Sequence, residues 1–167
     1  ADPSRINDPG YNNLTGICED NQGTLYFSTA WGLIFSLRAD ENKIKLFHPD
    51  RFGSNITDIL YEKEQLWIAS SDAGLFRIDM KTHDMDHFSP GSISGSENNL
   101  TINHLFIYDS VLYLATETQG VISFDWQSKE FYKESFSGLK SPLIIKKIND
   151  ELWIGAKDGI YIQTKHN

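Results

Sequence analysis

Four copies of one short motif run through the chain and constrain its fold more than any other feature. Each copy has a leucine, an aromatic and apolar residues, then small or hydroxyl residues, a short turn, and a glycine followed by apolar residues. The leading leucines lie 41, 46 and 40 residues apart. Periods of this length are typical of propeller blades, so the chain is expected to form about four similar units. The four copies occupy residues 25–35, 66–76, 112–122 and 152–161.

Every period divides into short segments separated by turn residues. Glycine, asparagine, aspartate and serine interrupt runs of about four to seven residues, which is typical of strands joined by tight turns. No segment has apolar residues at helical spacing. The sequence therefore predicts an all-β protein, a β-propeller-type array of about four blades, each a four-stranded antiparallel sheet.

The predicted blade boundaries follow from the repeats. After an N-terminal extension at 1–12, the propeller repeats are expected to occupy 13–167. The last blade is predicted to be incomplete because the chain stops just after its third strand. The expected blades are 13–54, 55–98, 99–140 and 141–167.

An Asn-x-Thr sequence lies upstream of three of the four motifs. Asn13, Asn55 and Asn99 each begin such a sequence. In a secreted eukaryotic protein these would be glycosylation sites. Because all three are interpreted as one repeat position, we expect them to mark the start of the first strand of a blade instead.

The pattern Leu-Trp-Ile-Gly followed by a turn, glycine and an apolar residue resembles the two-component regulator propeller repeat. Glu19 and Asp20 ahead of Gly23 and Leu25 match it as well. That resemblance covers nearly the whole chain after about residue 12. The resemblance implies that the chain is part of the sensor region of a hybrid histidine kinase and response regulator protein of the kind found in gut Bacteroidetes. It also implies a periplasmic or extracellular location and a carbohydrate ligand.

Three ways of completing the array remain open. Residues 4–7 could return as the missing outer strand of the fourth blade and close a small ring, since propellers have roughly four to eight blades. The chain could equally be a fragment of a longer propeller. Finally, a second copy could complete the ring, because an open stack leaves two apolar blade faces uncovered and such faces drive self-association.

Charge and cysteine content exclude several classes of protein. Fifteen basic residues against 23 acidic ones give a net charge of -8, which disfavours nucleic-acid binding because that depends mainly on cationic side chains. No apolar run approaches the roughly 18 to 20 residues of a membrane helix, so no membrane contact is expected. Cys18 is the only cysteine; it cannot form an internal disulfide and is expected to be a small buried apolar residue.

The candidate ligand-binding residues lie in the turns between the second and third strands of each blade. Propellers usually act through loops on one face of the ring. Trp31 could form an aromatic platform for a sugar ring, or instead cover the core of the first blade. Asp72, Glu117 and Lys157 occupy the corresponding turns of the other blades. These four residues are the predicted binding site, with an oligosaccharide as the expected ligand.

No metal, cofactor or catalytic motif is predicted. His83 and His87 would lie about 13 Å apart along a strand, too far to share an ion. The Asp20 turn lacks the downstream glutamate of a calcium loop. No nucleophile elbow, phosphate loop or zinc-protease motif is present. The leading hypothesis is a non-catalytic ligand-sensing module linked to a kinase; the alternatives are a protein-interaction scaffold and, third, a lyase or hydrolase that uses the central channel.

Overall fold

A computed structural model describes residues 13–48, 50–89 and 100–164 of the chain. These residues form fifteen strands in four antiparallel sheets, which we call blades one to four. Blade one contains β1 (Leu14–Glu19), β2 (Leu25–Thr29), β3 (Ile34–Leu37) and β4 (Lys45–Leu46). Blade two contains β5 (Ile56–Glu62), β6 (Gln65–Ser70), β7 (Gly74–Asp79) and β8 (Met85–Phe88). Blade three contains β9 (Ile102–Tyr108), β10 (Val111–Thr116), β11 (Gly120–Asp125) and β12 (Glu130–Lys133). Blade four contains β13 (Pro142–Ile148), β14 (Glu151–Ala156) and β15 (Gly159–Thr164).

Each blade is a simple up-and-down meander. Sequential strands pair as neighbours in all four sheets, and all pairs are antiparallel. Two-residue turns with positive φ join the first two strands in blades two and three, at Lys63–Glu64 and Asp109–Ser110. Turns of this kind match the right-handed twist of the strands they join. The all-β prediction is confirmed, and blade four has three strands among the described residues.

Apolar side chains fill the space between neighbouring blades. Tyr26 and Ile59 belong to one cluster between blades one and two. Trp67 is 1% exposed and lies in the cluster between blades two and three. Ala115 and Ile145 are buried together between blades three and four. The core is therefore divided into layers, each enclosed by two facing sheets.

Side chains of the first strands also bind the backbone of the next blade. The Thr57 hydroxyl donates to the carbonyl oxygen of Ile102 at 2.5 Å. The Asp58 carboxylate accepts a hydrogen bond from the backbone N–H of Leu105 at 2.8 Å. We call this pair of contacts the cross-blade clamp. It fixes the position of blade three relative to blade two.

The same clamp recurs between blades three and four with different side chains. Asn103 Nδ2 donates to the carbonyl oxygen of Pro142 at 2.9 Å. His104 Nδ1 accepts from the backbone N–H of Ile145 at 3.3 Å. Asn103 and His104 thus take the places of Thr57 and Asp58, one repeat later in the chain.

Strand register corrects one part of the predicted repeat alignment. Ile102 pairs with Thr116 as Ile56 pairs with Ser70, so Thr101 is the counterpart of Asn55. The prediction that Asn99 takes this position was wrong by two residues, and Asn99 itself lies outside the described residues. What repeats is a backbone contact: the carbonyl oxygen of the residue just before the first strand accepts the N–H of the residue just after the second strand. The pairs are Asn13 with Ala30, Asn55 with Ser71, Thr101 with Glu117 and Ser141 with Lys157.

Two further predictions concern single residues. His83 was expected on a strand, but it lies in the turn before β8 with φ 62°, because the strand begins only at Met85. His87 is on β8 and stacks on Phe76 with ring centroids 4.3 Å apart. Cys18 packs against the core between blades one and two, as predicted; burial, with a smaller contribution from nearby carboxylates, raises its thiol pKa to about 12.

The described residues of the four blades form an open arc rather than a closed ring. The packed strand pairs link blade one to two, two to three and three to four, through the neighbouring first strands β1, β5, β9 and β13. The proposed closing strand at 4–7 lies outside the described residues. One side of blade one and one side of blade four therefore form the two ends of the described array.

Candidate functional site

The four predicted ligand residues lie on one rim of the arc. Because the blades are equivalent meanders packed through their first strands, all turns between second and third strands emerge at the same rim. We call this rim the turn face. It comprises the turns at 30–33, 71–73, 117–119 and 157–158.

Trp31 and Asp72 lie on either side of one connecting segment. Trp31 is 45% exposed, and the adjacent Gly32 carbonyl accepts the N–H of Phe52 at 3.0 Å. Two residues further on, the N–H of Ser54 donates to both Asp72 carboxylate oxygens at 3.0 Å. The connection from blade one to blade two is thus held between the Trp31 turn and the Asp72 carboxylate.

Asp72 has a structural role as well as a place on the turn face. Its Oδ1 accepts the Ser70 hydroxyl at 2.8 Å in addition to the N–H of Ser54. Partial burial opposes ionisation of the carboxyl, but the hydrogen bonds from Ser54 and Ser70 outweigh it and hold its pKa below the ordinary value. Asp72 is therefore an anion at neutral pH, with acceptor positions already engaged by the protein.

Glu117 and Lys157 form an ion pair between blades three and four. Lys157 Nζ donates to Glu117 Oε1 at 2.5 Å, and Asn103 Nδ2 donates to Oε2 at 3.5 Å. The hydrogen bond from Lys157, then that from Asn103, lowers the pKa of Glu117. The four predicted residues thus divide into two pairs, one at the boundary of blades one and two and the other at the boundary of blades three and four.

Sequence reasoning missed a partly buried titratable pair below the turn face. His104 Nε2 lies 3.9 Å from Asp58 Oδ2. Burial raises the pKa of Asp58 to about 6, although backbone hydrogen bonds from Leu105 and Ile59 oppose the rise. Burial, with a smaller effect of Lys146, lowers the pKa of His104 to about 4. The distance alone suggests an ion pair, but at neutral pH the imidazole is uncharged and accepts through Nδ1.

The sequence does contain a signal for this pair. Asp58 and His104 occupy the same repeat position in first strands that are otherwise largely apolar. A polar residue inside such a strand needs a buried partner. Correct alignment of the repeats would have shown that both positions face the next blade.

Two clefts lie between blades two and three. The first, of about 240 Å³, contains two buried atoms without hydrogen-bond partners among the described residues, Gln65 Oε1 and Arg77 Nε. Because Trp67 is almost completely buried, its ring cannot stack on a ligand there. The residues lining this cleft are Glu62, Lys63, Gln65, Trp67, Arg77 and Trp126. The second cleft, of about 400 Å³, is lined by His87, Phe88, Ser89, Lys129, Glu130 and Phe131.

Two observations on the described residues concern metal ions and membranes. Within these ranges, no three His, Cys, Asp or Glu side chains come together as ligands for one ion. None of the described elements is a helix of the length and apolarity that crossing a membrane requires.

Solved structures with the same arrangement of blades show the fold. The chain is similar to the extracellular domain of the hybrid two-component system BT3049 from B. thetaiotaomicron, with TM-score 0.74 and 17% identity over 92% of this chain and 23% of that one. It is similar to the β-propeller domain of Cps50 (Swd1) from Myceliophteria thermophila, with TM-score 0.71 and 14% identity over 90% and 51% of the two chains. The designed protein Ika4 matches with TM-score 0.70 and 12% identity over 93% and 94%.

The fold is that of a β-propeller. The predicted likeness to the sensor region of hybrid two-component proteins is confirmed at the level of fold. This chain spans about a quarter of the BT3049 domain and about half of the Cps50 propeller. No protein-family model matches the sequence, and no curated protein matches it.

Proposed function

We propose that this chain is part of the extracytoplasmic sensor region of a two-component signalling protein and binds a carbohydrate on the turn face. The observation that carries the proposal is the match of 92% of the chain to the extracellular domain of a two-component system. On this proposal the signal passes to a linked kinase, and the chain itself catalyses no reaction. The structures matched are named as the extracellular domain of a hybrid two-component system and as a β-propeller domain, and neither name includes a catalytic activity, which is consistent with a non-catalytic role.

The chemistry around Trp31 suits a sugar. An aromatic ring packs against the apolar face of a pyranose, while neighbouring polar groups bind its hydroxyls. Trp31 is 45% exposed on the turn face. The Asp72 carboxylate lies across the 52–54 segment and could accept a sugar hydroxyl as a further hydrogen bond.

The same contacts offer a route from ligand to signal. Gly32, next to Trp31, and Asp72 both hold the segment that connects blades one and two. A ligand that binds one arrangement of these turns more tightly than another shifts the population toward it. We propose that the shift changes the angle between blades, which the linked domains detect.

Isothermal calorimetry with a panel of oligosaccharides tests this function. The expected result is heat of binding for at least one oligosaccharide, lost in Trp31→Ala. Tyr132→Ala is the matched control, because Tyr132 is also an exposed aromatic residue, 49% exposed on the outer strand of blade three. Absence of binding to the whole panel, or equal loss in both variants, would contradict the proposed site.

A protein-interaction scaffold is the second candidate. The observation that favours it is the set of exposed apolar residues at the two ends of the arc, such as Ile17 and Ile160, which are 60% and 69% exposed. Variants of Trp31 and Asp72 separate the two functions. Loss of ligand binding with assembly intact supports sensing, whereas unchanged assembly and no ligand response in any variant supports the scaffold.

A further inference from the structure

Among the described residues, no other blade covers the apolar side of blade four that points away from blade three. Cross-strand partners lie on the same side of a sheet. Ile144 pairs with Gly155, Gly155 pairs with Ile160, and Trp153 pairs with Ile162, so these residues share that side. The four isoleucines of this surface are between 42% and 69% exposed. We call it end face four; it consists of Ile144, Ile148, Trp153, Ile160 and Ile162.

Blade one has a matching surface on the side that points away from blade two. Ile17 is opposite Phe27, Phe27 is opposite Phe35, and Phe35 is opposite Leu46. Ile17 is 60% exposed and Leu46 is 37% exposed, while Phe35 is 9% exposed. We call this set, together with Glu19 on the same side of β1, end face one.

Inside the chain, surfaces of these two kinds are packed against each other. Trp67 of blade two is the counterpart of Trp153, and it packs on Phe124 and Trp126 of blade three. Leu105 and Leu114 of blade three correspond to Ile17 and Phe27 and are buried in that contact. Inside the chain, the side of blade two that corresponds to end face four is covered by the facing side of blade three. End face one is that same side in blade one, so it has the residues that fit end face four.

The comparison with Cps50 indicates how many copies complete a ring. This chain superposes on that propeller domain with TM-score 0.71 and covers 51% of its chain, so two copies have about the length of one such propeller. We propose that two copies of this chain form a closed ring of eight blades. End face four of each copy covers end face one of the other, a head-to-tail contact that closes after two copies.

Charge complementarity supports the same pairing. Lys146 on β13 takes the repeat position of Leu60, and Glu19 takes that of Ile107. Leu60 and Ile107 pack against the same core cluster across blades two and three. On this proposal Lys146 of one copy and Glu19 of the other border the same interface, where their opposite charges attract. Both side chains are exposed in the single chain.

This contact differs from the internal ones in a way that affects its strength. Leu143 and Ile144 take the repeat positions of the clamp residues in blades two and three. Their side chains have no polar atom, so they cannot make the clamp's hydrogen bonds to the next blade. Association then rests on apolar burial and the Lys146–Glu19 pair. We infer a reversible dimer that weakens at high salt, because exposed charge pairs are screened.

Sedimentation equilibrium of the purified chain tests the proposal. The expected mass at high concentration is twice 19.0 kDa, and Ile162→Asp is expected to be a monomer with unchanged circular dichroism. Met85→Asp is the matched control, because Met85 is 43% exposed on the outer strand of blade two and lies away from both end faces. This variant should remain dimeric. A monomer at every concentration, or a series of ever larger species, would overturn the closed dimer.

Charge reversal provides a test in which folding is not at risk. Lys146→Glu and Glu19→Lys should each weaken the dimer by about tenfold in dissociation constant, and the double variant should restore it. Failure of the double variant to recover would overturn the pairing. The outcome is separate from that of the proposed function, because calorimetry with oligosaccharides can be done on the monomeric Ile162→Asp variant.

Discussion

Trp67 and Trp153 occupy the same repeat position in blades two and four, yet their surroundings differ. Trp67 is 1% exposed. Its ring centroid lies 5.8 Å from that of Trp126, on which it stacks, and 5.9 Å from that of Phe124. Trp153 is half-buried on end face four and donates from Nε1 to Glu151 at 3.2 Å. The repeat thus specifies a strand and its side-chain directions, whereas burial depends on whether a neighbouring blade covers the position.

The largest expected effect is the difference between truncations of these two tryptophans. Trp67→Ala should lower the free energy of unfolding by about 3 to 5 kcal/mol, since it leaves a cavity among packed aromatic rings. Trp153→Ala should cost about 1 kcal/mol or less in the monomer. Urea denaturation at low protein concentration measures both. Equal costs would show that blade four is covered within one chain.

A second contrast concerns two glycines with positive φ. A Cβ at Gly32 would collide with the Gly53 carbonyl oxygen, while a Cβ at Gly120 would meet no atom within 4 Å. Gly32→Ala should therefore lower the free energy of unfolding by about 2 to 4 kcal/mol, from clash and backbone strain together. Gly120→Ala should lower the free energy of unfolding by only about 1 kcal/mol, because it introduces backbone strain without a clash. Similar midpoints in urea for the two variants would contradict the close approach of blades one and two at Gly32.

The cross-blade clamp makes a prediction for pH dependence. The pKa of Asp58 is raised from 3.8 to about 6, so its protonated form favours folding below about pH 4 and this contribution is lost as pH rises through 6. His104 acts in the opposite direction. Its pKa is lowered from 6.5 to about 4, so its contribution is present above pH 6.5 and is lost as pH falls toward 4.

Asp58→Asn separates these two effects. The free energy of unfolding of the original chain, minus that of the variant, should fall by about 2 kcal/mol as pH rises from 4 to 7. Any loss of the hydrogen bonds to Asp58 adds a difference that does not depend on pH. Taking this difference cancels the other carboxyl groups. Chemical denaturation at several pH values measures it, and a difference that does not change with pH would contradict a buried Asp58.

The smallest effect is expected at the ion pair of the turn face. Glu117 and Lys157 are both solvent-accessible, and exposed pairs contribute little because water and salt screen them. Glu117→Gln should lower the urea midpoint slightly in low salt and not at all in about 1 M NaCl. A large, salt-independent loss would show that this pair does more to join blades three and four than their buried contact at Ala115 and Ile145.

Much of the fold was predictable because it depends on local patterns. The Leu-Trp-Ile runs, the in-phase glycines and the turn residues specify strands and blades without knowledge of distant contacts. The alignment of Asn99 with Asn55 failed for a physical reason. An Asn-x-Thr match says nothing about hydrogen-bond register, and it is the pairing of Ile102 with Thr116 that sets the register of blade three.

The candidate site was less predictable than the fold. The turns that carry Trp31, Asp72, Glu117 and Lys157 could be assigned to one rim from the sequence, because strand order determines where turns emerge; whether they bind a ligand stays a prediction. Their partners could not be predicted, since Ser54 and Asn103 come from other elements and only the packed blades bring them close. The same holds for Asp58, whose partner Leu105 is 47 residues away in sequence.

Hydroxyl-radical footprinting of Trp67 and Trp153 over a dilution series tests the open arc most directly. The expected result is slow oxidation of Trp67 at every concentration. Trp153 should be oxidised rapidly in dilute solution and become protected as concentration rises and a second copy covers end face four. Protection of Trp153 even at the greatest dilution would contradict the account, because it would mean that blade one of the same chain covers blade four.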